Sequence, residues 1–168
     1  MEFKELEENR QQPNIQIESI EYMLGVIRKN NLKKVLEIGC FNGYSALKFS
    51  TVSEEVKTIE IDKRNIEIAK SNFKFYKVNN IIILEGDAKK VLKNLNERFD
   101  LILIDATKKE YREYLSLALS LVSPHSYIYA DNTISHKEKM KDFFEYLESS
   151  KLNWKELNIG RGLVEIRI

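Results

Sequence analysis

The chain has 168 residues, of which 27 are Lys or Arg and 26 are Asp or Glu, so its formal net charge is +1. This balance excludes a global basic field that would attract nucleic acid or an anionic membrane. The single cysteine, Cys40, excludes an internal disulfide, and no apolar run approaches the ~20 residues of a membrane span. We therefore expect a cytoplasmic protein that folds as one domain over residues 1–168, with 1–14 as a short N-terminal extension.

Segments with helical and strand-like apolar patterns alternate along the chain. Helices are predicted over 17–29, 44–52, 88–97, 108–121 and 137–149. A further helix is predicted from an N-cap at Asp62 to about residue 77, and Val122 is expected to continue the apolar register of 108–121. Strands are predicted over 33–38, 55–61, 81–84, 99–104 and 126–131. The segments 153–159 and 162–168 predict an antiparallel hairpin around Gly160-Arg161-Gly162. This alternation predicts a doubly wound α/β sheet that binds ligands beyond the carboxyl ends of its parallel strands.

The loop after the first strand, "EIGCFNGYS", is suited to close contact with a ligand. Gly39 and Gly43 permit tight backbone turns, and Ser45 at the helix start offers donors to a carboxylate. Glu37 stands two residues before Gly39, so the loop is not a G-x-G-x-x-G dinucleotide motif, and its carboxylate would repel a pyrophosphate. The alternative is a turn that needs glycine for structural reasons alone.

Acidic residues at the next two strand ends extend this interpretation. Glu60 lies about 20 residues beyond the glycine loop, where a carboxylate accepts hydrogen bonds from ribose hydroxyls. Asp87 in "EGDA" would accept a hydrogen bond from an adenine amino group. Exposed acids are also common near strand ends without any ligand. Together the three strand ends favour S-adenosylmethionine over NAD as the ligand.

Oxygen donors also follow the fourth and fifth strands of the alternating part. Asp105 ends one strand and Asp131-Asn132 ends the next, so two carboxylates and an amide would meet at one edge of the sheet. Such donors suit Mg²⁺, Ca²⁺ or Mn²⁺. Lys108 follows Asp105 by one helical turn and is placed to act as a general base. The alternatives are an N-cap at Asp105, a turn at Asp131-Asn132 and a solvent-exposed lysine.

Five motifs occur together in a recognisable order: "VLEIGCFNGYSALKFS", "TIEID", "EGDA", "FDLILIDATKKEY" and "YADN". From about Ile15 to the C-terminus the chain resembles the cation-dependent O-methyltransferases, the group of the catechol and caffeoyl-coenzyme A enzymes. The resemblance implies a Rossmann-like class I methyltransferase fold with strand order 3-2-1-4-5-7-6. It also implies methyl transfer from S-adenosylmethionine to a hydroxyl of a small catechol-like acceptor, with a divalent cation, most simply Mg²⁺, as a second cofactor.

The resemblance assigns roles to individual residues. Lys108 would be the catalytic base, and Asp105, Asp131 and Asn132 would hold the metal. The residues expected to contact S-adenosylmethionine are Ile15, Glu37, Gly39, Phe41, Gly43, Ser45, Glu60, Asp87 and Asp105.

The sequence departs from the family pattern in several places. Only about 14 residues precede the matched region, and "TISHKEKMKDFF" lacks the longer insertion that often shapes the acceptor pocket, so we expect an open site. His136 would lie near its mouth, and Arg161 replaces the acid that relatives often have between the two hairpin glycines. An open site would also admit tRNA, which makes hydroxyuridine methylation the alternative function. A further alternative function is that of an S-adenosylmethionine-binding protein without catalysis. The candidate assembly is a homodimer.

Overall fold

A seven-stranded sheet forms the centre of the computed structural model, which describes Phe3, Leu6 and residues 14–168. The strands are β1 (Lys34–Ile38), β2 (Glu55–Glu60), β3 (Ile81–Glu85), β4 (Phe99–Ile104), β5 (Val122–Asp131), β6 (Asn153–Leu157) and β7 (Leu163–Arg167). Their order is β3-β2-β1-β4-β5-β7-β6, and only β7 runs antiparallel to its neighbours. The predicted fold class and strand order are therefore confirmed.

Helices cover both faces of this sheet. They are α1 (Ile17–Asn30), α2 (Tyr44–Ser50), α3 (Lys63–Phe75), α4 (Ala88–Asn94), α5 (Tyr111–Ala118) and α6 (Lys141–Ser149). Apolar side chains of α1, α2 and α3 form one buried cluster, and those of α4, α5 and α6 form the other. Of the predicted N-terminal extension, the structure describes Phe3, Leu6 and Asn14. Phe3 is fully buried and its ring packs edge-on against Tyr76 at 4.9 Å.

The apolar run of β4 is buried from both sides. Leu101 and Leu103 contribute to the cluster beneath α1–α3, whereas Ile102 and Ile104 contribute to the cluster beneath α4–α6. Successive side chains of a strand point to opposite faces, so a strand at the centre of a covered parallel sheet needs apolar residues at every position. Residue 105 is the first position of this segment that reaches the open edge of the sheet.

Two of the predicted helices differ from expectation because each begins as a 3₁₀ turn. These turns are Lys108–Glu110 and Lys137–Lys139. α5 also ends at Ala118, so the prediction that Val122 continues its register is wrong. Val122 instead begins β5, where it pairs with Phe99. Helical spacing of apolar residues does not distinguish a last helical turn from the connection to a buried strand, because both face the same core.

β5 begins at Val122 rather than at Ser126, and an irregularity near its start explains the difference. Its register with β4 shifts just after Phe99. Pro124 lacks a backbone N–H and His125 adopts a φ of 62°, so this part of the strand bulges away from regular pairing.

Candidate active site

A cavity of about 340 Å³ opens at the carboxyl ends of the parallel strands. Its wall contains most of the predicted site residues: Ile15, Gly39, Phe41, Ser45, Glu60, Asp87, Asp105, Lys108 and Asn132. Glu37, Gly43 and Asp131 do not line it. Glu37 and Asp131 directly precede residues that do, and the Gly43 N–H donates to the carbonyl of the wall residue Cys40 at 2.9 Å. The fold therefore brings the predicted cofactor, metal and base residues to one edge of the sheet, as expected for doubly wound proteins.

Gly39 lets the β1 loop cross closely over the end of β4. Its φ is 104°, and a Cβ at this position would collide with the backbone carbonyl oxygen of Asp105. The Asp105 N–H donates to the Ile38 carbonyl at 3.0 Å, which joins the two strand ends. Gly39 thus sets the distance between the predicted cofactor loop and the predicted metal and base residues.

Gly43 packs closely against a neighbouring helix. Its φ is 81°, and a Cβ there would collide with the ring of Phe73 in α3. Close packing between the start of α2 and α3 explains this glycine, so contact with a ligand is not needed to account for it.

Glu37 is fully buried beneath the cavity wall. Its carboxylate accepts hydrogen bonds from the hydroxyls of Ser45 and of Thr58, the latter at 2.6 Å. Burial raises the pKa of Glu37 to about 8, although both hydrogen bonds oppose this shift. Glu37 therefore orients the side chain of Ser45, and Ser45 lines the cavity.

Glu60 at the end of β2 is held rigidly by backbone donors. One carboxylate oxygen accepts from the Phe41 N–H at 2.8 Å, and the other accepts from the N–H groups of Ile61 and Asp62 at 2.8 and 2.9 Å. Each oxygen retains acceptor capacity toward the cavity, because an ionised carboxylate offers about four lone-pair directions. The predicted hydrogen bonds to ribose hydroxyls remain a prediction that this geometry favours.

Asp87 lies at the same edge but serves first as a helix cap. Its Oδ1 accepts from the Lys90 N–H at 3.1 Å at the start of α4. Near this cap, Glu110 accepts from Lys89 Nζ at 2.6 Å and from the Tyr114 hydroxyl at 2.5 Å. Tyr114 and Glu110 are cavity residues that the sequence interpretation missed.

Lys108 is the central cation of the site. Its Nζ lies 2.8 Å from Asp105 Oδ1 and 2.7 Å from the Tyr111 hydroxyl oxygen. The Tyr111 hydroxyl in turn donates to the backbone carbonyl of Asp131 at 3.2 Å. Burial, followed by the charges of Asp105 and Asp131, raises the pKa of Tyr111, so this phenol remains protonated. The sequence interpretation assigned Tyr111 only to the core and missed this contact.

Asp131 and Asn132 lie beside Asp105, as the adjacent strands predict. Ile104 pairs with Ala130, so the residues that follow them are neighbours. Asp131 is fully buried, and its Oδ1 has no hydrogen-bond partner among the described residues, while Oδ2 accepts from the Asn132 amide. Burial and then the charge of Asp105 raise the pKa of Asp131 to about 7.

Asn14 is a further cavity residue that the sequence interpretation missed. It is 7% exposed, and its side-chain nitrogen has no hydrogen-bond partner within the part of the chain that the structure describes. It directly precedes Ile15, where the recognised motifs begin. Its contact with the cavity depends on the path of the chain before α1, which no local pattern reveals.

The family model described as O-methyltransferase matches residues 3–158 of the chain. The chain belongs to the O-methyltransferase family. A family relative, catechol O-methyltransferase from Niastella koreensis, is 34% identical over 110 residues, which cover 61% of this chain and 50% of that protein. The chain spans about half to two thirds of the length of this curated relative and of others that it matches.

Solved structures agree with this family assignment. A proposed caffeoyl-CoA O-methyltransferase from Staphylococcus aureus is 28% identical, with a TM-score of 0.88 over 98% of this chain and 90% of that one. A methyltransferase from Podospora anserina, bound to S-adenosylhomocysteine, is 25% identical with a TM-score of 0.88 over 97% and 84%. The resemblance to O-methyltransferases inferred from the motifs is therefore confirmed.

No helix in the described part of the chain is long and apolar enough to cross a membrane. In the same part of the chain, no group of three His, Cys, Asp or Glu side chains is arranged to hold a metal ion. The predicted metal ligands Asp105, Asp131 and Asn132 are not such a group, because one of the three side chains is an amide.

Proposed function

We propose that this protein transfers a methyl group from S-adenosylmethionine to a hydroxyl of a small acceptor with vicinal hydroxyls, and that a divalent cation assists. The observation that carries this proposal is the position of Lys108 Nζ, 2.8 Å from Asp105 Oδ1, at the wall of the cavity and beside Asp131-Asn132. The S-adenosylhomocysteine-bound relative supports the choice of methyl donor.

The side chains at the ends of β4 and β5 fit a divalent cation. Asp131 Oδ1 is buried and makes no hydrogen bond to any residue that the structure describes, so a cation would give this carboxylate oxygen a partner. Burial and, after it, the charge of Asp105 raise the pKa of Asp131, and added positive charge at this site would oppose both effects. Two carboxylates and an amide oxygen are hard donors that suit Mg²⁺, Ca²⁺ or Mn²⁺.

Binding of the methyl donor would use the other half of the cavity. Glu60 would accept hydrogen bonds from the ribose, and Ser45 and the backbone around Gly39 would bind the amino-acid part. Asp87 would contact the adenine, because it lines the cavity on the side of β3 and α4.

Lys108 would remove the proton of the acceptor hydroxyl. A divalent cation bound at Asp105, Asp131 and Asn132 would supply positive charge that lowers the pKa of this hydroxyl. Lys108 would first release its ammonium proton to solvent, and the neutral amine would then accept the hydroxyl proton at Nζ, which Tyr111 holds in position. The acceptor oxygen then forms a bond to the methyl carbon while the carbon–sulfur bond breaks, which yields a methyl ether and S-adenosylhomocysteine.

The test is an assay with radiolabelled S-adenosylmethionine against catechol, hydroxycinnamoyl esters and tRNA that contains hydroxyuridine, each with and without a chelator. We expect label in a small vicinal diol and its loss when the chelator is present. Label in tRNA alone would favour hydroxyuridine methylation instead, and absence of label from every acceptor would contradict the proposed function.

Substitutions of Lys108 and Asp105 test whether this activity depends on the proposed site. Lys108→Ala should lower kcat by at least ~100-fold, since a positioned general base contributes this much or more. Asp105→Ala should also abolish transfer, and both variants should still bind S-adenosylhomocysteine in calorimetry. Lys109→Ala is the matched control, because Lys109 is the exposed neighbouring lysine and does not line the cavity. Wild-type turnover in the Lys108 and Asp105 variants would overturn the assignment.

A further inference from the structure

Asn14 places a buried hydrogen-bond donor in the wall of the cavity. Its Nδ2 makes no hydrogen bond to any residue that the structure describes. Other buried side-chain atoms in this state, such as Ser126 Oγ and Thr133 Oγ1, belong to residues outside the wall. A buried polar group that has left water without gaining a partner is costly, so the Asn14 amide requires an acceptor that a bound ligand would bring.

Four other side-chain donors of the wall are already engaged within the protein. The hydroxyls of Ser45 and Tyr114 donate to carboxylates, and so do the ammonium group of Lys108 and the amide of Asn132. A hydroxyl has a single hydrogen to donate. Asn14 differs from these four residues because its buried donor has no such partner.

The path of α1 brings Asn14 to the part of the wall that contains Ser45. Both α1 and α2 run from the carboxyl end of β1 toward its amino end, because α1 leads into β1 and α2 follows it. Glu21 and Lys48 each stand four residues after the first residue of their helix, and they form an ion pair at 3.1 Å. The two helices therefore start side by side, and Asn14 precedes the start of α1 by three residues.

The acids of the wall restrict where an anionic ligand group can bind. Glu60, Asp87 and Asp105 line the cavity at the ends of β2, β3 and β4. Carboxylates stabilise hydroxyl, amino and ammonium groups of a ligand but repel its carboxylate. An amino-acid ligand brings an ammonium group and a carboxylate together, so the carboxylate needs a donor of its own. Asn14 offers an uncharged donor beside Ser45.

We propose that the Asn14 amide donates a hydrogen bond to the carboxylate of the amino-acid part of S-adenosylmethionine. The inference rests on the proposed function and adds a residue to the site for the methyl donor. A hydrogen bond to an ionised carboxylate is stronger than one between neutral groups. Asn14 thereby orients the end of the cofactor that lies farthest from its adenine, and it couples the start of α1 to cofactor binding.

Two ligands that differ by one group test this contact in calorimetric titrations. They are S-adenosylhomocysteine and its decarboxylated analogue, which keeps the amino group and lacks only the carboxylate. Asn14→Ala should weaken the binding of S-adenosylhomocysteine by about tenfold, the size of one hydrogen bond to a charged group. The affinity for the decarboxylated analogue should stay within about twofold of the wild-type value, because the analogue cannot make this contact. A purely structural effect would weaken both ligands alike.

A second variant keeps the shape of the side chain and reverses its chemistry. Asn14→Asp replaces the donor by a carboxylate, so it should weaken S-adenosylhomocysteine more than Asn14→Ala does, through repulsion between like charges. It should not weaken the decarboxylated analogue, which retains its ammonium group. Asn79→Ala is the control, because Asn79 is an exposed asparagine that does not line the cavity, and it should change neither affinity.

Equal weakening of both ligands in the Asn14 variants, or wild-type affinity of these variants for S-adenosylhomocysteine, would overturn the inference. The titrations need no acceptor and no methyl transfer. If S-adenosylhomocysteine binds but no acceptor is methylated, the proposed function fails, and the affinities still judge the role of Asn14. If the wild-type protein does not bind S-adenosylhomocysteine, the inference is overturned as well.

Discussion

The Lys108 ammonium donates a hydrogen bond of 2.7 Å to the Tyr111 hydroxyl, and this hydroxyl donates to the Asp131 carbonyl at 3.2 Å. The fully buried ring of Tyr111 anchors both contacts in the core between α5 and α6. A flexible lysine side chain is thereby held between the ends of β4 and β5. This geometry is the basis of the first prediction.

Tyr111→Phe should lower kcat by about tenfold to a hundredfold while the affinity for S-adenosylmethionine is retained, because a base displaced by ~1 Å loses this much. Steady-state kinetics with the acceptor identified by the labelling assay provide the measurement. Tyr146→Phe is the control, since Tyr146 is a partly buried tyrosine of α6 outside the cavity. A kcat equal to that of the wild type would show that Lys108 does not depend on this hydroxyl.

Mg²⁺ should raise the melting temperature of the protein at pH 8. At this pH Asp131, with a pKa near 7, is ionised beside Asp105, so cation binding relieves their repulsion. Binding to the folded state stabilises by mass action, and each kcal/mol corresponds to about 2–4 °C in a chain of this size. Asp131→Asn should remove the shift, whereas Glu148→Gln, an exposed acid on α6, should retain it. A shift of the same size in Asp131→Asn would exclude this cation site.

Stability should fall as the pH rises from about 5 to 8 because of Glu37. Burial raises its pKa to about 8, so the folded state holds a proton that the unfolded state, with a pKa near 4.5, has released. The stabilisation from this proton is fully present below the pKa of the unfolded state, near 4.5, and it is lost as the pH rises through the pKa of the folded state, about 8. Glu37→Gln should weaken this dependence, which urea denaturation at several pH values would measure. Parallel pH profiles for the variant and the wild type would be the contrary result.

Two glycine-to-alanine substitutions should have opposite effects on the free energy of unfolding. Gly39→Ala should destabilise the protein and weaken S-adenosylhomocysteine binding, because its Cβ would collide with the Asp105 carbonyl at a φ of 104°. Gly25→Ala should stabilise it by roughly 0.5–1 kcal/mol, since Gly25 lies in α1 with open space around it. Urea denaturation measures both. Equal stability of the two variants would argue against the close approach of the β1 and β4 ends.

Many of these features could be predicted from local sequence. Asp62 caps α3 as predicted, with its Oδ1 accepting from the Arg64 N–H at 2.8 Å, because a cap depends on residues within one turn. The hairpin around Gly160 and Gly162 is likewise a local feature. The neighbouring positions of Asp105 and Asp131 followed from a simple rule, that adjacent parallel strands end at the same edge.

Other features depended on contacts between distant segments. Whether Glu37 faces the ligand or the core depends on Thr58, which lies on the neighbouring strand. The assignment of Gly43 depends on the Phe73 ring, and the second role of Tyr111 depends on the ends of two strands. No periodicity along the chain records these pairings.

By itself, then, the sequence determined the order of helices and strands, the sheet edge at which the polar residues gather, and the family. These depend on short-range apolar periodicity and on the regular geometry of strand–helix units. Only the tertiary structure decided which acids reach the cavity and which lie beneath it. Such distinctions arise from burial and from partners far apart in sequence, which become defined only when the chain is packed.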